Sequence, residues 1–215
     1  MLETFPGWAP DGKKIYYSVA RYPEGVTPDD VPYHYTRMHY DIVSRDFDLN
    51  TRKFSSPDTV VYASADSLSA LLPRISPDGK YLLYCQAPFG TFHIWHKDSD
   101  LYMKDLATGE TRPLKNANSD DTDSYHSWSS NSRWIVFSSR RDDGSYTRPY
   151  IAYISPDGKD SKAFVMPQES PAYYRDLMKS YNVPEFFNDE FECTRHDIVR
   201  ALDKDAIQSK FKSQR

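Results

Sequence analysis

The sequence contains few of the residues that build cofactor and metal sites. It has only two cysteines, Cys85 and Cys193, and neither belongs to a CxxC pair of the kind that holds zinc or haem. Its eight glycines are scattered, so no glycine-rich phosphate-binding loop occurs. We therefore expect no cofactor and no metal. Cys85 lies in the apolar run YLLYCQ, which predicts a small buried side chain.

Basic stretches and long apolar runs are also missing. The net charge is −4, whereas a nucleic-acid partner needs a basic stripe that displaces counterions. No run approaches the roughly 20 apolar residues of a transmembrane helix. Residues 1–14 lack the charged and apolar regions of a signal peptide and lead directly into a repeated motif. This start indicates either a cytoplasmic chain or a fragment of a longer protein.

The sequence contains no recognisable catalytic motif. Ser127-Trp-Ser is not the GxSxG elbow of a hydrolase, and residues 92–98 contain HKD without the HxK spacing of phosphoryl-transfer enzymes. The chain after Met166 is too short for an α/β-hydrolase domain. We expect a protein that is not an enzyme.

Two groups of possible metal ligands are incomplete. Asp120, Asp121 and Asp123 lie close together but lack the order and the glycine of an EF-hand, which favours an acidic connector over a calcium site. His93 and His96 are three residues apart with no evident third ligand.

The strongest signal is an internal repeat. Three segments align without gaps: WAPDGKKIYYS at 8–18, ISPDGKYLLYC at 75–85 and WSSNSRWIVFS at 128–138. Each reads as a tight turn followed by a short apolar and aromatic strand, because Pro, Asp or Asn, and Gly suit successive turn positions. Asn131-Ser132 replaces Asp-Gly in the third copy, so a different turn conformation is possible in that copy.

A second motif follows each copy, at 46–53, 103–110 and 152–159. Each example reads as a strand that ends in a hairpin and continues into an outer strand. Two hairpins per unit predict a four-stranded antiparallel blade, the element of a β-propeller.

The W/I-x-P-D-G-K-x-I/L-x-Y pattern with its downstream D-L-x-T-G hairpin resembles the TolB-like, WD40-like propeller repeat. The resemblance covers about residues 1–166, and residues 124–144 are similar to the last blades of TolB-like envelope proteins. It implies an all-β fold of three four-stranded antiparallel blades, about 1–62, 63–114 and 115–166, in an incomplete ring. A β-sandwich with coincidental turns is the alternative.

Three blades do not close a ring, since known propellers have roughly 4–8. We expect upstream propeller blades or a second copy of the chain to complete it. The start on a blade motif favours the C-terminal part of a longer protein.

Extra length gathers after the second strand of each blade, at 21–38, 87–100 and 140–148. In a meander these loops share a face with the connectors at 63–72 and 115–125, opposite the PDG turns, and insertions on one face of a repeat protein often mark a binding face. Aromatic residues and arginine are typical of interfaces. We therefore predict weak binding residues on this loop face: Tyr33, His34, His93, Trp95, His96, Arg140, Arg141 and Tyr146. Packing between blades is the alternative role, and Arg140 and Arg141 could instead pair with Asp142 and Asp143.

A short helical tail, 167–215, follows the blades. Ser170-Pro171 predicts the start of a helix over 172–181. Thr194 and Asp197 form a capping-box pattern that predicts a second helix to about Lys204. Phe186, Phe187 and Phe191 are predicted to pin the tail onto the propeller.

The resemblance also implies a function. TolB-like propellers are docking platforms in the cell envelope, so we expect a non-catalytic scaffold in the periplasm or at the outer membrane. It would bind a protein or an envelope polymer through the insertion-loop face. The alternative is the accessory propeller of an envelope hydrolase, or a carbohydrate-active propeller.

Overall fold

The computed structural model describes residues 1–190 and 192–205, which form three antiparallel sheets in chain order. The strands of the first blade are β1 (Leu2–Trp8), β2 (Lys14–Ala20), β3 (Tyr40–Asp48), β4 (Lys53–Phe54) and β5 (Asp58–Val61). On the side of β3 away from β2, β4 pairs with the end of β3 and β5 with its middle, so β4 and β5 together make the fourth strand.

The second and third blades are simple four-stranded meanders. The second contains β6 (Ser69–Ile75), β7 (Tyr81–Ala87), β8 (Asp100–Asp105) and β9 (Thr111–Pro113). The third contains β10 (Asp123–Trp128), β11 (Trp134–Ser139), β12 (Arg148–Tyr153) and β13 (Phe164–Val165). The predicted all-β propeller fold, with three four-stranded antiparallel blades and a short helical tail, is confirmed.

The remaining regular elements are short. The tail contains α1 (Tyr173–Asp176) and α2 (Arg195–Leu202). Short 3-10 helices occupy the loops at Pro28–Tyr33, Tyr35–Arg37, Ala63–Asp66 and His93–Trp95. Within the described ranges, no helix has the length and apolar character needed to cross a membrane.

The repeated turn has the same geometry in all three blades. Gly12, Gly79 and Ser132 adopt left-handed φ angles of 68°, 74° and 59°. The Ser132 N–H donates to the Ser129 carbonyl at 2.9 Å, as the Gly79 N–H donates to the Ser76 carbonyl at 2.8 Å. A serine is tolerated in this conformation because its Oγ accepts a hydrogen bond from the Asp78 N–H at 2.9 Å, which joins the turns of neighbouring blades.

The first strand of every blade also carries a bulge. Phe5, Leu72 and Tyr125 have left-handed φ angles of 52°, 57° and 49°, each three residues before the end of its strand. The register with the second strand shifts at each of these sites. Bulges bend a strand and increase its twist, so the inner strands curve in the same way in each blade.

Each blade has a rear face, towards the preceding blade, and a forward face, towards the next one. Tyr16 and Ile42 on the forward face of blade 1 pack against Leu82 and Tyr84 on the rear face of blade 2. The next interface repeats this arrangement with Leu83, Cys85, Ile135 and Phe137. Cys85 is fully buried there, as its apolar run predicts.

The tail differs in part from the sequence prediction. The helix predicted over 172–181 is wrong beyond Asp176, because carbonyls that a longer helix would use accept hydrogen bonds from Arg148 instead. The Thr194–Asp197 capping box is present and opens α2, as predicted.

The three phenylalanines predicted to hold the tail differ in burial. Phe186 is half-buried and Phe187 is 62% exposed, whereas Phe191 lies outside the described residues. Hydrogen bonds from blade 3 to tail carbonyls hold this segment, for example from Ser127 Oγ to the Pro184 carbonyl at 2.7 Å.

Candidate functional site: an aromatic groove on the loop face

The long loops and the blade-to-blade connectors lie together at one end of the blades. Ser64 in the first connector donates to the Asp41 carboxylate from both its N–H, at 2.8 Å, and its Oγ, at 2.9 Å. Thr122 in the second connector donates to the His93 carbonyl at 2.7 Å. These bonds tie the loops to a rigid support, which favours a defined surface over a mobile one.

A groove of about 700 Å³ opens between the loops of blades 1 and 2. Phe92 and Trp95 are 65% and 68% exposed at this groove, which is unusual for side chains of that size. Apolar and aromatic residues supply most of the lining: Val31, Pro32, Tyr35, Pro88, Phe89, Phe92 and Trp95.

Aromatic contacts join the two walls of this groove. The Tyr35 and Phe89 rings meet edge to face with centroids 5.8 Å apart. The Phe89 ring lies 4.8 Å from the His96 ring on its other side. Burial lowers the pKa of His96, which favours a neutral ring at this position. The backbone also joins the loops, because the Gly90 N–H donates to the Met38 carbonyl at 2.9 Å.

Arg140 connects the insertion loop of blade 3 to Trp95 at this groove. Its guanidinium lies 5.0 Å from the centre of the Trp95 ring, a cation–π arrangement. The same guanidinium donates to the Gly144 carbonyl, and the Arg140 N–H donates to Thr122 at 3.2 Å. Trp95 is thus held on one side by a positioned cation while its ring remains exposed.

Two predicted binding residues are structural. His93 is fully buried, with Nδ1 3.3 Å from Cys85 Sγ, and burial lowers its pKa to about 3. Its side chain is therefore a neutral part of the core and cannot meet a ligand on the surface. Arg141 donates to the Asp123 carboxylate and the Ala117 carbonyl, both at 2.7 Å, and covers the Tyr150 ring.

Three further predicted residues lie away from the groove. Tyr33 is 83% exposed and His34 half-buried, but neither lines the groove. Tyr146 faces Arg148 instead, with its ring centre 5.3 Å from that guanidinium. The structure therefore brings together Trp95, His96 and Arg140 of the predicted set.

The predicted set of binding residues omits part of the lining, notably Tyr35, Phe89 and Phe92. Their residue type and position could have indicated them, since all three are aromatic residues in the insertions at 21–38 and 87–100. Which rings face one another depends on how the loops meet, and residue type does not reveal that.

The alternative role of Arg140 and Arg141, a salt bridge with Asp142 and Asp143, is not formed. Asp142 accepts a hydrogen bond from the Tyr150 hydroxyl at 2.5 Å, and Asp143 lies 3.7 Å from the Arg148 guanidinium. Arg141 pairs instead with Asp123 at the start of β10, so it joins the β11–β12 loop to the inner strand of the same blade.

The acidic connector is occupied by internal bonds. Besides Arg141, Asp123 binds the Ser119 N–H at 2.7 Å and its hydroxyl at 2.9 Å. In residues 1–190 and 192–205, no group of three or more His, Cys, Asp or Glu side chains is placed to share a metal ion.

Comparisons with known proteins give structural neighbours only. No protein-family model matches the sequence, and no curated protein matches it either. Among solved structures, the chain is similar to TolB from Acinetobacter baumannii, with 20% identity, a TM-score of 0.45, and coverage of 73% of this chain and 31% of that one.

Two further neighbours are a propeller domain and an enzyme. The β-propeller domain of the Trilobed protease from Pyrococcus furiosus has 14% identity and a TM-score of 0.42, with coverage of 78% of this chain and 43% of that one. An oligogalacturonate lyase in complex with manganese has 15% identity and a TM-score of 0.46, covering 74% of this chain and 40% of that one.

The chain spans less than half the length of each of these three proteins. The neighbours include β-propeller proteins, and the likeness concerns the fold alone. The assignment to the propeller architecture rests on the strand order within each sheet and on the register between the first and second strands, which repeats from blade to blade.

Proposed function

We propose that this chain is a non-catalytic propeller scaffold of the TolB-like kind that binds a protein partner through the aromatic groove. Its place in the cell envelope, in the periplasm or at the outer membrane, follows from the resemblance of its repeats. The observation that supports the binding role is the pair of exposed rings, Phe92 and Trp95, at a supported groove. Large exposed aromatic groups cost hydration free energy unless a partner covers them.

The groove has the composition of a protein-binding hot spot. Trp and Arg are the residues most enriched at positions that dominate binding energy, and here Arg140 lies against Trp95. Because the loops are anchored through Gly90 and Thr122, little conformational entropy is lost when a partner binds.

The lining favours a protein segment over a polysaccharide. A sugar chain needs a polar partner for most of its hydroxyls, since an unpaired buried hydroxyl costs about 1–3 kcal/mol. Most of the lining of this groove is instead prolines, Val31 and aromatic rings, with Thr91, Lys97 and Asp98 as the polar exceptions beside His96. Apolar side chains of a bound peptide complement such an apolar lining better than the hydroxyls of a sugar chain do.

The test begins with a photo-crosslinking amino acid in place of Phe92, followed by mass spectrometry of the protein captured from envelope extracts. The captured protein is then purified, and its affinity for Trp95→Ala is measured by calorimetry. We expect the dissociation constant to rise about 30-fold or more, the effect of losing about 2 kcal/mol at a hot spot. The melting temperature should remain within 2 °C or so of the parent, since the Trp95 ring is mostly exposed.

Leu49→Ala is the matched control, because Leu49 is 63% exposed in the β3–β4 hairpin at the opposite end of the blade. It should leave the affinity unchanged. Equal losses in the two variants would contradict binding at the groove. Peptidoglycan sacculi and oligogalacturonate are tested in parallel, and binding or cleavage of either that depends on Trp95 would replace the protein-scaffold proposal with the polymer or carbohydrate alternative.

A further inference from the structure

The loop face carries the whole net charge of the chain. Its five segments contain eleven acidic and seven basic residues, and the difference equals the net charge of −4. These segments are 21–38, 63–72, 87–100, 115–125 and 140–148. The rest of the chain is therefore neutral as a whole. An excess of one charge on one face favours a partner of the opposite charge.

The arginines of the blade 3 insertion have internal contacts. Arg141 pairs with the Asp123 carboxylate at 2.7 Å, and the buried Arg148 guanidinium donates to carbonyls of the tail. Arg140 lies against the Trp95 ring and donates to a carbonyl of its own loop. These three cations are held in place, so they do not neutralise the remaining carboxylates at the groove.

Two carboxylates at the groove lack a cationic partner. Asp98 lines the groove, and Asp100 follows it at the start of β8, where its side chain is half-buried. Within the residues that the structure describes, neither carboxylate forms a salt bridge or a hydrogen bond. Burial, followed by the charges of Asp123 and Asp98, raises the pKa of Asp100 to about 6. The negative potential at this end of the groove is therefore uncompensated.

Lys97 also lines the groove, and its side chain is exposed. It belongs to the same loop as Asp98 and Asp100 but pairs with neither in the described part of the chain. The flexible four-carbon stem of a lysine lets its charge move away from an incoming cation, whereas a half-buried aspartate has little such freedom. Lys97 therefore weakens the acidic end of the groove without cancelling it.

The rings beside these carboxylates also suit a basic side chain. Phe92 and Trp95 precede Asp98 in the same loop and expose their rings at the groove. The face of an aromatic ring attracts a cation, as the Arg140 guanidinium at 5.0 Å from the Trp95 ring centre shows. An arginine or lysine can pack its apolar stem on such a ring while its charged end pairs with a carboxylate nearby.

We propose that the segment bound in the aromatic groove is a basic, apolar peptide, with apolar side chains against the rings and an arginine or lysine paired with Asp98 and Asp100. This inference rests on the proposed binding of a protein at the groove, and it adds the charge of the partner. A neutral or acidic peptide would remove water from both carboxylates without giving them a partner, which is unfavourable for a charged group.

The first test selects random twelve-residue peptides displayed on phage against the immobilised full chain and, in parallel, against Trp95→Ala. Peptides that bind only the parent chain are sequenced. We expect arginine and lysine to be enriched about twofold or more over the input library, next to apolar residues. Trp95-dependent peptides without this enrichment would overturn the inferred charge of the partner and leave the proposed function intact. A selection that yields no Trp95-dependent peptide would contradict both.

The most enriched peptide is then synthesised, and its dissociation constant is measured by fluorescence anisotropy. Combining Asp98→Asn with Asp100→Asn should raise this constant about tenfold, because an interaction between charged groups is lost. Asp66→Asn is the matched control, since Asp66 is exposed on a connector of the same face and does not line the groove. Its effect should stay below about twofold. Equal losses would indicate general attraction by the acidic face and would overturn the pairing.

Lys97→Ala should have the opposite effect. Loss of this positive charge should lower the dissociation constant about twofold for a basic peptide, because a like charge is removed from the groove. A peptide that uses its own carboxylates would instead bind Lys97→Ala more weakly than the parent chain. That result would overturn the proposal, even though binding at the groove would still depend on Trp95.

Discussion

Ile15 in blade 1 and Ile135 in blade 3 are the same residue at the same register, yet their surroundings differ. Ile135 is enclosed between blades 2 and 3, whereas Ile15 lies on a face with open concavities beside it. The sequence pattern around both positions is nearly the same. The difference shows that an identical strand motif acquires its stability from the neighbouring blade, since burial removes apolar area from water.

The sharpest test of this comparison is truncation of both isoleucines. Ile135→Ala should lower the free energy of unfolding by about 2–5 kcal/mol, because it leaves a cavity in a closed interface. Ile15→Ala should cost about 1 kcal/mol or less, since part of the side chain is already in water. Urea unfolding of both variants provides the measurement, and equal losses would mean that the rear face of blade 1 is as well packed as the others.

The contact between blade 3 and the tail can be tested by substitution of Arg148. This buried guanidinium donates to the carbonyls of Lys179, Tyr174 and Leu177 at 2.6, 2.9 and 3.0 Å. Arg148→Ala should cost about 3 kcal/mol, because bonds from a charged donor are lost together. Hydrogen exchange of residues 174–184 should show reduced protection, with a partial recovery in Arg148→Lys. Unchanged exchange in the alanine variant would contradict the role of Arg148 as an anchor.

The two blade interfaces should also differ in their response to acid. His126 lies between blades 2 and 3, where Nε2 is 3.1 Å from the Leu83 carbonyl, whereas Pro73 holds the matching position at the interface of blades 1 and 2. Burial, with a smaller effect of Arg74, lowers the pKa of His126 to about 3.

An unfolded histidine has a pKa of 6.5, so the unfolded state binds more protons between pH 6.5 and 3. Stability is complete above pH 6.5 and decreases as the pH falls through this window. Between pH 6.5 and 4.5 we expect His126 to account for about 2 kcal/mol of the loss. His126→Gln should reduce the acid sensitivity, measured as the difference in unfolding free energy at the two pH values. An undiminished loss in that variant would assign the sensitivity elsewhere, with buried His93 as the next site to test.

Much of the fold could be predicted because the repeated turn motifs mark the boundaries of the strands and of the blades. The turn at Ser132 is an example: it has the same geometry as the glycine turns despite a different residue, since its hydroxyl accepts a hydrogen bond from Asp78 in the preceding blade. The bulges at Phe5, Leu72 and Tyr125 were not predicted, because three unrelated residue types occupy them.

The candidate groove could be predicted by region and only partly by residue. Loop length and aromatic content pointed to the end of the blades at which the groove lies, and Trp95, His96 and Arg140 of the predicted set lie in it or against it. His93 failed because burial of a loop residue depends on what packs above it, here the connector that carries Thr122. Arg141 pairs with Asp123, which lies 18 residues earlier at the start of the inner strand of the same blade, and a local pattern does not show that contact.

Local chemistry in the sequence determined the strands, the tight turns and the α2 capping box, because each depends on residues within a few positions of one another. The tertiary structure alone decided which faces are covered. Whether Ile15 is open, whether the tail lies across blade 3 and which rings form the groove depend on contacts between distant segments. Burial and hydrogen bonding between such segments arise only when the blades stand side by side, and no local pattern records them.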